Sequence, residues 1–109
     1  MVQHGRSGKL VRDGIPDIIR ADGGNPQVVI LDGDNYTVSL RSKLLEEVEE
    51  LLSAPPEKRI EEIADVVEVL YAIAEDLGLD WDTVQAERLR KRCERGGFEG
   101  RVWLKEPRR

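Results

Sequence analysis

The sequence predicts a mainly α-helical domain, on three observations. The chain has 109 residues, of which 36% are charged and only 5% are aromatic, a balance that suits exposed helices better than a β-sandwich. Apolar residues recur at helical spacing in two long central segments. The segment that joins these two, SAPPEK, contains two prolines and interrupts the pattern. We therefore expect a tight helix hairpin at the centre of the fold.

The length of the chain predicts a single domain. We expect a flexible leader over residues 1–8, one helical domain over 9–105 and a tail over 106–109. A domain of this size buries only about two-thirds of the surface that its unfolded chain exposes. The second long segment also carries apolar residues around most of its circumference, which predicts burial on more than one side. A homodimer or a higher homo-oligomer is expected to complete the core.

The first half of the chain predicts a short helix, a strand and a long helix. Pro16 is suited to the first turn of a helix that stops at Gly23 and Gly24. The β-branched segment PQVVIL predicts a short strand, and GRVWL near the C-terminus predicts a second one that pairs with it as a peripheral β-ribbon. A helical stripe of leucine and valine then runs from about Tyr36 to Leu52.

The second half of the chain predicts two further helices. One runs from about Pro56 to Leu77 and ends at Gly78, a residue type common just after a helix. Asp80 is suited to cap the next helix, which ends at the Gly96-Gly97 pair.

Charge and cysteine content exclude several classes of protein. The net charge of -5 argues against a general nucleic-acid binder, which is usually basic. Cys93 stands alone, so an internal disulfide is impossible and a reducing cytoplasm fits. No apolar run is long enough to span a bilayer, so no membrane partner is expected.

A glycine-rich segment near the N-terminus, GRSGKL, does not match a phosphate-binding Walker loop. It has two residues too few between its first glycine and the Gly-Lys pair, and it lacks the Ser or Thr that follows that pair.

Two pairs of acidic residues stand at helical spacing on the two central helices. Glu47 and Glu50 are three residues apart, as are Glu62 and Asp65, so each pair shares one helix face. The two pairs also lie at similar angles from the apolar centre of their helices, which turns both toward the shared seam or both away from it. A turn at Pro56 would place Glu50 level with Glu62 and Glu47 level with Asp65.

Such a cluster of carboxylates needs positive charge close by. Asp65 and Glu68 lie among apolar residues, where an unpaired acid is costly. Oxygen ligands suit Mg²⁺ or Mn²⁺, and the chain has no His or Cys cluster for zinc. The alternative is that the acids form a solvated helix face and that Asp65 pairs with Arg12 or Lys9. Both interpretations stay open at this stage.

The order of four segments resembles a known enzyme family. KLVRDGIPDII, KLLEEVEEL, EEIADVVEVLYAIA and RLRKRCERGGF follow one another, and together they are similar to the MazG-like branch of the all-α nucleoside triphosphate pyrophosphohydrolases. Small proteins described as phosphoribosyl-ATP pyrophosphohydrolase-like are close to this branch. The resemblance implies an all-α helix-hairpin bundle whose site is built at an oligomer interface. It covers the chain from about Lys9 to Leu104.

The resemblance also implies an activity and its residues. Magnesium-dependent cleavage between the α- and β-phosphates of a nucleoside triphosphate would release a monophosphate and pyrophosphate, possible substrates being non-standard nucleotides. The residues implied to hold metal are Glu47, Glu50, Glu62 and Asp65. The general base would be one of these four or Glu46, with Glu46 and Glu47 as the candidates. The basic residues implied to bind substrate phosphates are Lys9, Arg12, Arg88, Lys91 and Arg95.

Some features of the sequence favour other interpretations. Arg88, Lys91 and Arg95 form one helical stripe that could equally pair with acids of the preceding helix. Lys9 and Arg12 could serve to hold the N-terminus through a carboxylate. Gly14 stands where similar proteins have a lysine, and the residues after Asp65 differ from those of histidine-pathway phosphoribosyl-ATP pyrophosphohydrolases, which stay a secondary alternative. A helical dimerisation or partner-binding module without activity is the alternative from another class.

Overall fold

The computed structural model describes residues 8–105, and they form a mainly α-helical protein. Its helices are α1 (Ile15–Ala21), α2 (Gly33–Ser53), α3 (Arg59–Asp76) and α4 (Trp81–Arg95). The tail expected over 106–109, and the expected leader except for Gly8, lie outside the described residues. Within 8–105, no helix is both long enough and apolar enough to cross a membrane.

The central hairpin of α2 and α3 is confirmed. α2 begins at Gly33, earlier than the stripe of apolar residues suggested, because the Asp32 side chain caps it by accepting a hydrogen bond of 2.9 Å from the Asn35 backbone N–H. Ala54 and Pro55 are extended, and one turn of 3₁₀-helix over Pro56–Lys58 leads into α3. The chain therefore reverses at Pro56, as its prolines predicted.

The connection from α3 to α4 is a glycine-terminated turn. Gly78 adopts a φ of 75°, its N–H donates to the Glu75 carbonyl, and the Leu79 N–H donates to the Ala74 carbonyl. This is the double hydrogen bond of a Schellman cap, for which glycine is favoured because it has no Cβ. The turn brings Trp81, at the start of α4, edge-on against Tyr71 of α3 with ring centroids 5.5 Å apart.

The two expected strands are not formed in residues 8–105. Segments 26–31 and 100–104 have no regular secondary structure, and Ile30, Val102 and Trp103 are almost fully exposed. A two-stranded ribbon is only marginally stable unless one of its faces packs on other elements. Neither segment has such a surface here, so the β-branched residues do not fold into a ribbon.

The buried core of the described chain is small. Leu40, Val69 and Ala74 are its buried apolar residues, and they lie on α2 and α3. The radius of gyration is 18.1 Å, whereas a compact chain of 100 residues has about 13 Å. Much of the apolar surface of α2 and α3 therefore faces outward.

Replacement of Gly78 tests the cap between α3 and α4. Because Gly78 has a positive φ, we expect Gly78→Ala to lower the free energy of unfolding by about 1–2 kcal/mol. Gly14→Ala is the matched control, since both glycines have open space around an added Cβ but Gly14 has a φ of -83°. It should leave stability unchanged or slightly raised. Urea unfolding of both variants measures the difference. Equal free energies of unfolding for Gly78→Ala and Gly14→Ala would contradict the role of Gly78 in the cap.

Candidate functional site

The seam between α2 and α3 brings three of the predicted metal-binding residues together. Glu47, Glu62 and Asp65 each offer a carboxylate oxygen, and these oxygens lie within 4.8 Å of one another. A second group of the same kind consists of Glu46, Glu47 and Glu50. Of the two orientations that the sequence allowed, Glu47, Glu62 and Asp65 thus face the seam, whereas Glu50 is exposed and is grouped only with residues of α2. Glu47 belongs to both groups.

The Glu47 side chain is the most unusual feature of the seam. Only 6% of this residue is exposed, so it is more buried than the apolar Val48 beside it. Its Oε1 is shielded from solvent and has no hydrogen-bond partner among the described residues, and the same holds for Oε1 of Glu62. A buried carboxylate oxygen without a partner is strongly destabilising. Beside Asp65 the seam thus has two buried oxygens that are available as ligands for a cation.

Burial and the neighbouring acids change the pKa of Glu62. Desolvation raises the pKa of Glu62, and repulsion from Glu50, Asp65 and Glu47 raises it further. The folded chain therefore holds a proton on Glu62 more tightly than the unfolded chain does. A bound cation would reverse this effect, because it favours the ionised carboxylate.

Three basic side chains surround the carboxylates. Lys43 Nζ lies 3.0 Å from Glu47 Oε2 and 3.4 Å from Glu46 Oε2. Arg12 donates a hydrogen bond of 2.7 Å to Asp65 Oδ1, and Lys9 Nζ lies 3.8 Å from Glu46 Oε2. The N-terminal segment is thus held against the hairpin through carboxylates.

Lys9 and Arg12, predicted to bind phosphate, contact Glu46 and Asp65 in this structure. These are contacts of the kind that the other interpretation of the two residues expected. The sequence analysis missed Lys43, although its spacing from Glu46 and Glu47, three and four residues along one helix, is a signal that could have identified it.

A cleft of about 600 Å³ opens beside the carboxylates. Glu47 and Asp65 lie in its wall, which residues 9–13 complete on one side. Tyr36 and Tyr71 also line it, together with Glu68. Desolvation raises the pKa of Tyr36, and the charge of Glu75 raises that of Tyr71, so both phenols are neutral at physiological pH. The cleft therefore combines charged carboxylates with two aromatic rings.

The basic stripe of α4 is not brought to this cleft. Arg88, Lys91 and Arg95 are exposed and absent from its wall. Arg88 Nε donates a hydrogen bond of 3.0 Å to Gln85 on the same helix. The ion pairs found for α4 join Arg90 to Glu87 and Glu94, and Arg92 to Glu99, rather than joining α4 to the acids of α3.

The residues present fit a hard divalent cation. The donors are oxygens only, as Mg²⁺ and Mn²⁺ prefer. Glu46, Glu47 and Asp65 contact Lys9, Arg12 and Lys43, whereas Glu50 and Glu62 form no ion pair within residues 8–105. The acids of the cluster thus outnumber the basic side chains that contact them.

Comparisons with known proteins give one partial similarity. An uncharacterized protein of Mycolicibacterium smegmatis (strain ATCC 700084 / mc(2)155) is 50% identical over 46 residues, or 42% of this chain and 47% of that protein. The match thus spans about half the length of that relative. No family model matches the chain. No solved structure matches it either.

Glu62→Gln tests the charge repulsion within the cluster. In metal-free protein at neutral pH we expect this variant to have a higher Tm than the wild type, because it removes an ionised group that the fold disfavours. A raised acid pKa means that stability is lost as the pH rises from 4.5, the ordinary value, through the raised value. The difference in Tm between Glu62→Gln and the wild type should therefore disappear well below pH 4.5.

Glu57→Gln provides the control, since Glu57 is exposed on the turn between the two helices. Its Tm should equal that of the wild type across the pH range in thermal unfolding followed by circular dichroism. A lower Tm of Glu62→Gln at neutral pH would contradict the account of the cluster.

Proposed function

We propose that this protein is a divalent-cation-dependent nucleotide pyrophosphohydrolase of the MazG-like kind, which converts a nucleoside triphosphate to its monophosphate and pyrophosphate. Mg²⁺ is the proposed cofactor, and Mn²⁺ can replace it. The observation that carries the proposal is the pair of buried, unpartnered oxygens on Glu47 and Glu62, beside Asp65. Glu47 and Asp65 also line a cleft of sufficient size for a nucleotide.

The carboxylates have distinct roles in this proposal. Glu47, Glu62 and Asp65 would hold the cation, with Glu50 at the edge of the group. When bound, the cation neutralises phosphate oxygens and lowers the pKa of an attacking water. Glu46 and Glu47 are both candidates for the general base. Glu46 is half-buried, lies outside the group of Glu47, Glu62 and Asp65, and contacts Lys43 and Lys9 through its carboxylate.

The aromatic side chains of the cleft support a nucleoside at the other end of the substrate. Tyr71 lies six residues beyond Asp65 on α3, a distance of about 9 Å along the helix axis. Trp81 packs against the edge of Tyr71 and limits the orientations of that ring. A base that stacks on Tyr71 or Tyr36 would direct its phosphates toward the carboxylates. The proposed partner is thus a small-molecule nucleotide.

The outward apolar surface supports a homodimer. At 100° per residue, Leu45 lies about 160° around α2 from Glu47, and Ile63 lies about 160° around α3 from Asp65. Each helix of the hairpin therefore has an apolar stripe turned away from the acidic seam. Together these stripes form the outer apolar surface of the hairpin, which consists of Val38, Leu45, Leu52, Ile60, Ile63, Val67 and Leu70, all more than a third exposed. Val38, Leu45 and Leu52 repeat every seven residues, a spacing typical of helix pairing. We propose that a second copy covers this face.

A helical dimerisation module without catalysis is the second candidate. The ion pair between Arg12 and Asp65 favours it, since this acid already has a basic partner. Both side chains are more than a third exposed, so that pair contributes at most about 1 kcal/mol and weakens with salt. A module of this kind would respond to ionic strength and show no preference for Mg²⁺ over monovalent salt. A phosphoribosyl-ATP substrate stays a secondary alternative for the enzyme.

Asp65→Asn tests the proposed activity. The substitution preserves the size of the side chain but removes its charge, so the cation loses a ligand. Outer partners of metal ligands are typically worth 10–100-fold, and loss of a direct ligand should lower Mg²⁺-dependent pyrophosphate release by at least about 100-fold. Release is measured with standard and modified nucleoside triphosphates, with and without chelator.

Asp17→Asn is the matched control, because Asp17 forms an ion pair of 2.8 Å with Arg20 on α1, outside the cleft. Its activity should equal that of the wild type. Absence of metal-dependent release from every nucleotide by folded wild-type protein would refute the proposed function.

Leu45→Lys tests the proposed dimer. A charge in the centre of the apolar face should convert the protein to a monomer, because a buried unpaired lysine is costly. Sedimentation velocity at micromolar concentration measures the change. Ile18→Lys, a similar substitution on α1 at a residue that is 57% exposed, should stay dimeric. A monomeric wild type, or a dimeric Leu45→Lys, would contradict the assigned interface.

A further inference from the structure

The two oxygens of the Glu47 carboxylate have different surroundings. Oε2 lies 3.0 Å from Lys43 Nζ, whereas Oε1 is buried and has no partner among residues 8–105. The Lys43 side chain is itself only 16% exposed. Burial lowers the pKa of Lys43, but its hydrogen bond to Glu47 and the charges of Glu46 and Glu47 outweigh this, so the pKa is raised and the ammonium stays charged.

Asp65, on the other helix, is also held through one of its two oxygens, although its side chain is 38% exposed. Its Oδ1 accepts a hydrogen bond of 2.7 Å from Arg12 Nη2. Oδ2 accepts no hydrogen bond from the part of the chain that the structure describes. Two proposed metal ligands, on two helices, thus each have one oxygen held by a basic side chain and one oxygen left for another partner.

From this repeated geometry we infer that Lys43 and Arg12 are positioning residues, each of which fixes one oxygen of a carboxylate so that the other oxygen faces the cation. The inference rests on the proposed function and extends it to residues outside the ligand set. A glutamate carboxylate rotates broadly about its last bond, and a partner on one oxygen stops that rotation. Metal ligands in proteins are commonly oriented by a second group in this way, and loss of that group typically lowers metal affinity 10–100-fold.

A different role for Lys43 makes the opposite prediction. If the ammonium merely replaces a cation in the cluster, its removal relieves electrostatic repulsion toward an incoming cation, and affinity rises. If the ammonium orients Glu47, its removal lets Oε1 turn away, and affinity falls. The sign of the change in metal affinity therefore separates the two roles without any measurement of turnover.

The experiment is a Mn²⁺ titration of metal-free protein, in which the electron paramagnetic resonance signal of free Mn²⁺ reports binding. We expect Lys43→Gln to bind Mn²⁺ about 10–100-fold more weakly than the wild type. Lys43→Arg keeps a donor for Glu47 and should restore most of the affinity. Arg41→Gln removes the same charge from an exposed position on the same helix, and should bind Mn²⁺ as the wild type does or slightly more tightly.

Arg12→Gln extends the test to the second carboxylate. It should also weaken Mn²⁺ binding, whereas Arg20→Gln, which breaks the ion pair with Asp17 on α1, should not. Circular dichroism of each metal-free variant shows whether the helices are retained. Arg12→Lys, which keeps a charged donor, should lie between the wild type and Arg12→Gln.

Failure of this inference differs from failure of the proposed function. If the wild type binds Mn²⁺ and Lys43→Gln binds it equally well or more tightly, the positioning role is wrong while the metal centre stands. If the folded wild type does not bind Mn²⁺ at all, the metal centre itself is wrong and the positioning role with it. If Lys43→Gln and Arg12→Gln bind Mn²⁺ more weakly while the control variants do not, both the metal centre and the positioning role are supported.

Discussion

Glu47 is an acidic side chain buried between α2 and α3, and the packing of the hairpin has to accommodate it. A carboxyl group on a residue that is 6% exposed needs polar or charged partners. Lys43 is such a partner for Oε2, and Oε1 has none among the described residues. The hairpin thus places a buried oxygen without a hydrogen bond at the seam where its two helices pack. A metal ion would turn this destabilising feature into a link between the helices, in the way that binding to a native state stabilises it.

The acidic cluster also organises the chain around the hairpin. Arg12 and Lys9, which precede α1, contact Asp65 and Glu46, so the N-terminal segment forms one wall of the cleft. On the sides of α2 and α3 turned away from the seam, large apolar residues are exposed, and few side chains are buried in the described chain. Under the proposed function, a cation would offset the charge of the acidic cluster and a second copy would cover these apolar residues.

Much of this arrangement could be predicted from the sequence, because it depends on local patterns. The helical spacing of apolar residues and the pair Pro55 and Pro56 predict the hairpin. The three-residue spacing of Glu62 and Asp65 predicts that they share one helix face. The choice between an inward and an outward orientation could not be predicted, since equal angular offsets fit both. It depends on how deeply the helices pack, which brought Glu47 rather than Val48 to the centre of the seam.

Other features depend on long-range packing and could not be predicted from the sequence. The segments at 26–31 and 100–104 have strand-like composition, but without a surface to pack on they stay irregular. The basic stripe on α4 has the right spacing for a phosphate clamp, yet α4 turns it away from the cleft of its own chain. Any contact of that stripe with substrate phosphates would have to come through a second copy.

Anomalous diffraction from crystals grown with Mn²⁺ would show whether the carboxylates of the seam bind a cation. We expect a strong anomalous peak between α2 and α3, about 2.0–2.3 Å from oxygens of Glu47, Glu62 and Asp65, with Lys43 still in contact with the other oxygen of Glu47. An empty seam at saturating Mn²⁺, with these carboxylates hydrogen-bonded to protein or water instead, would contradict it.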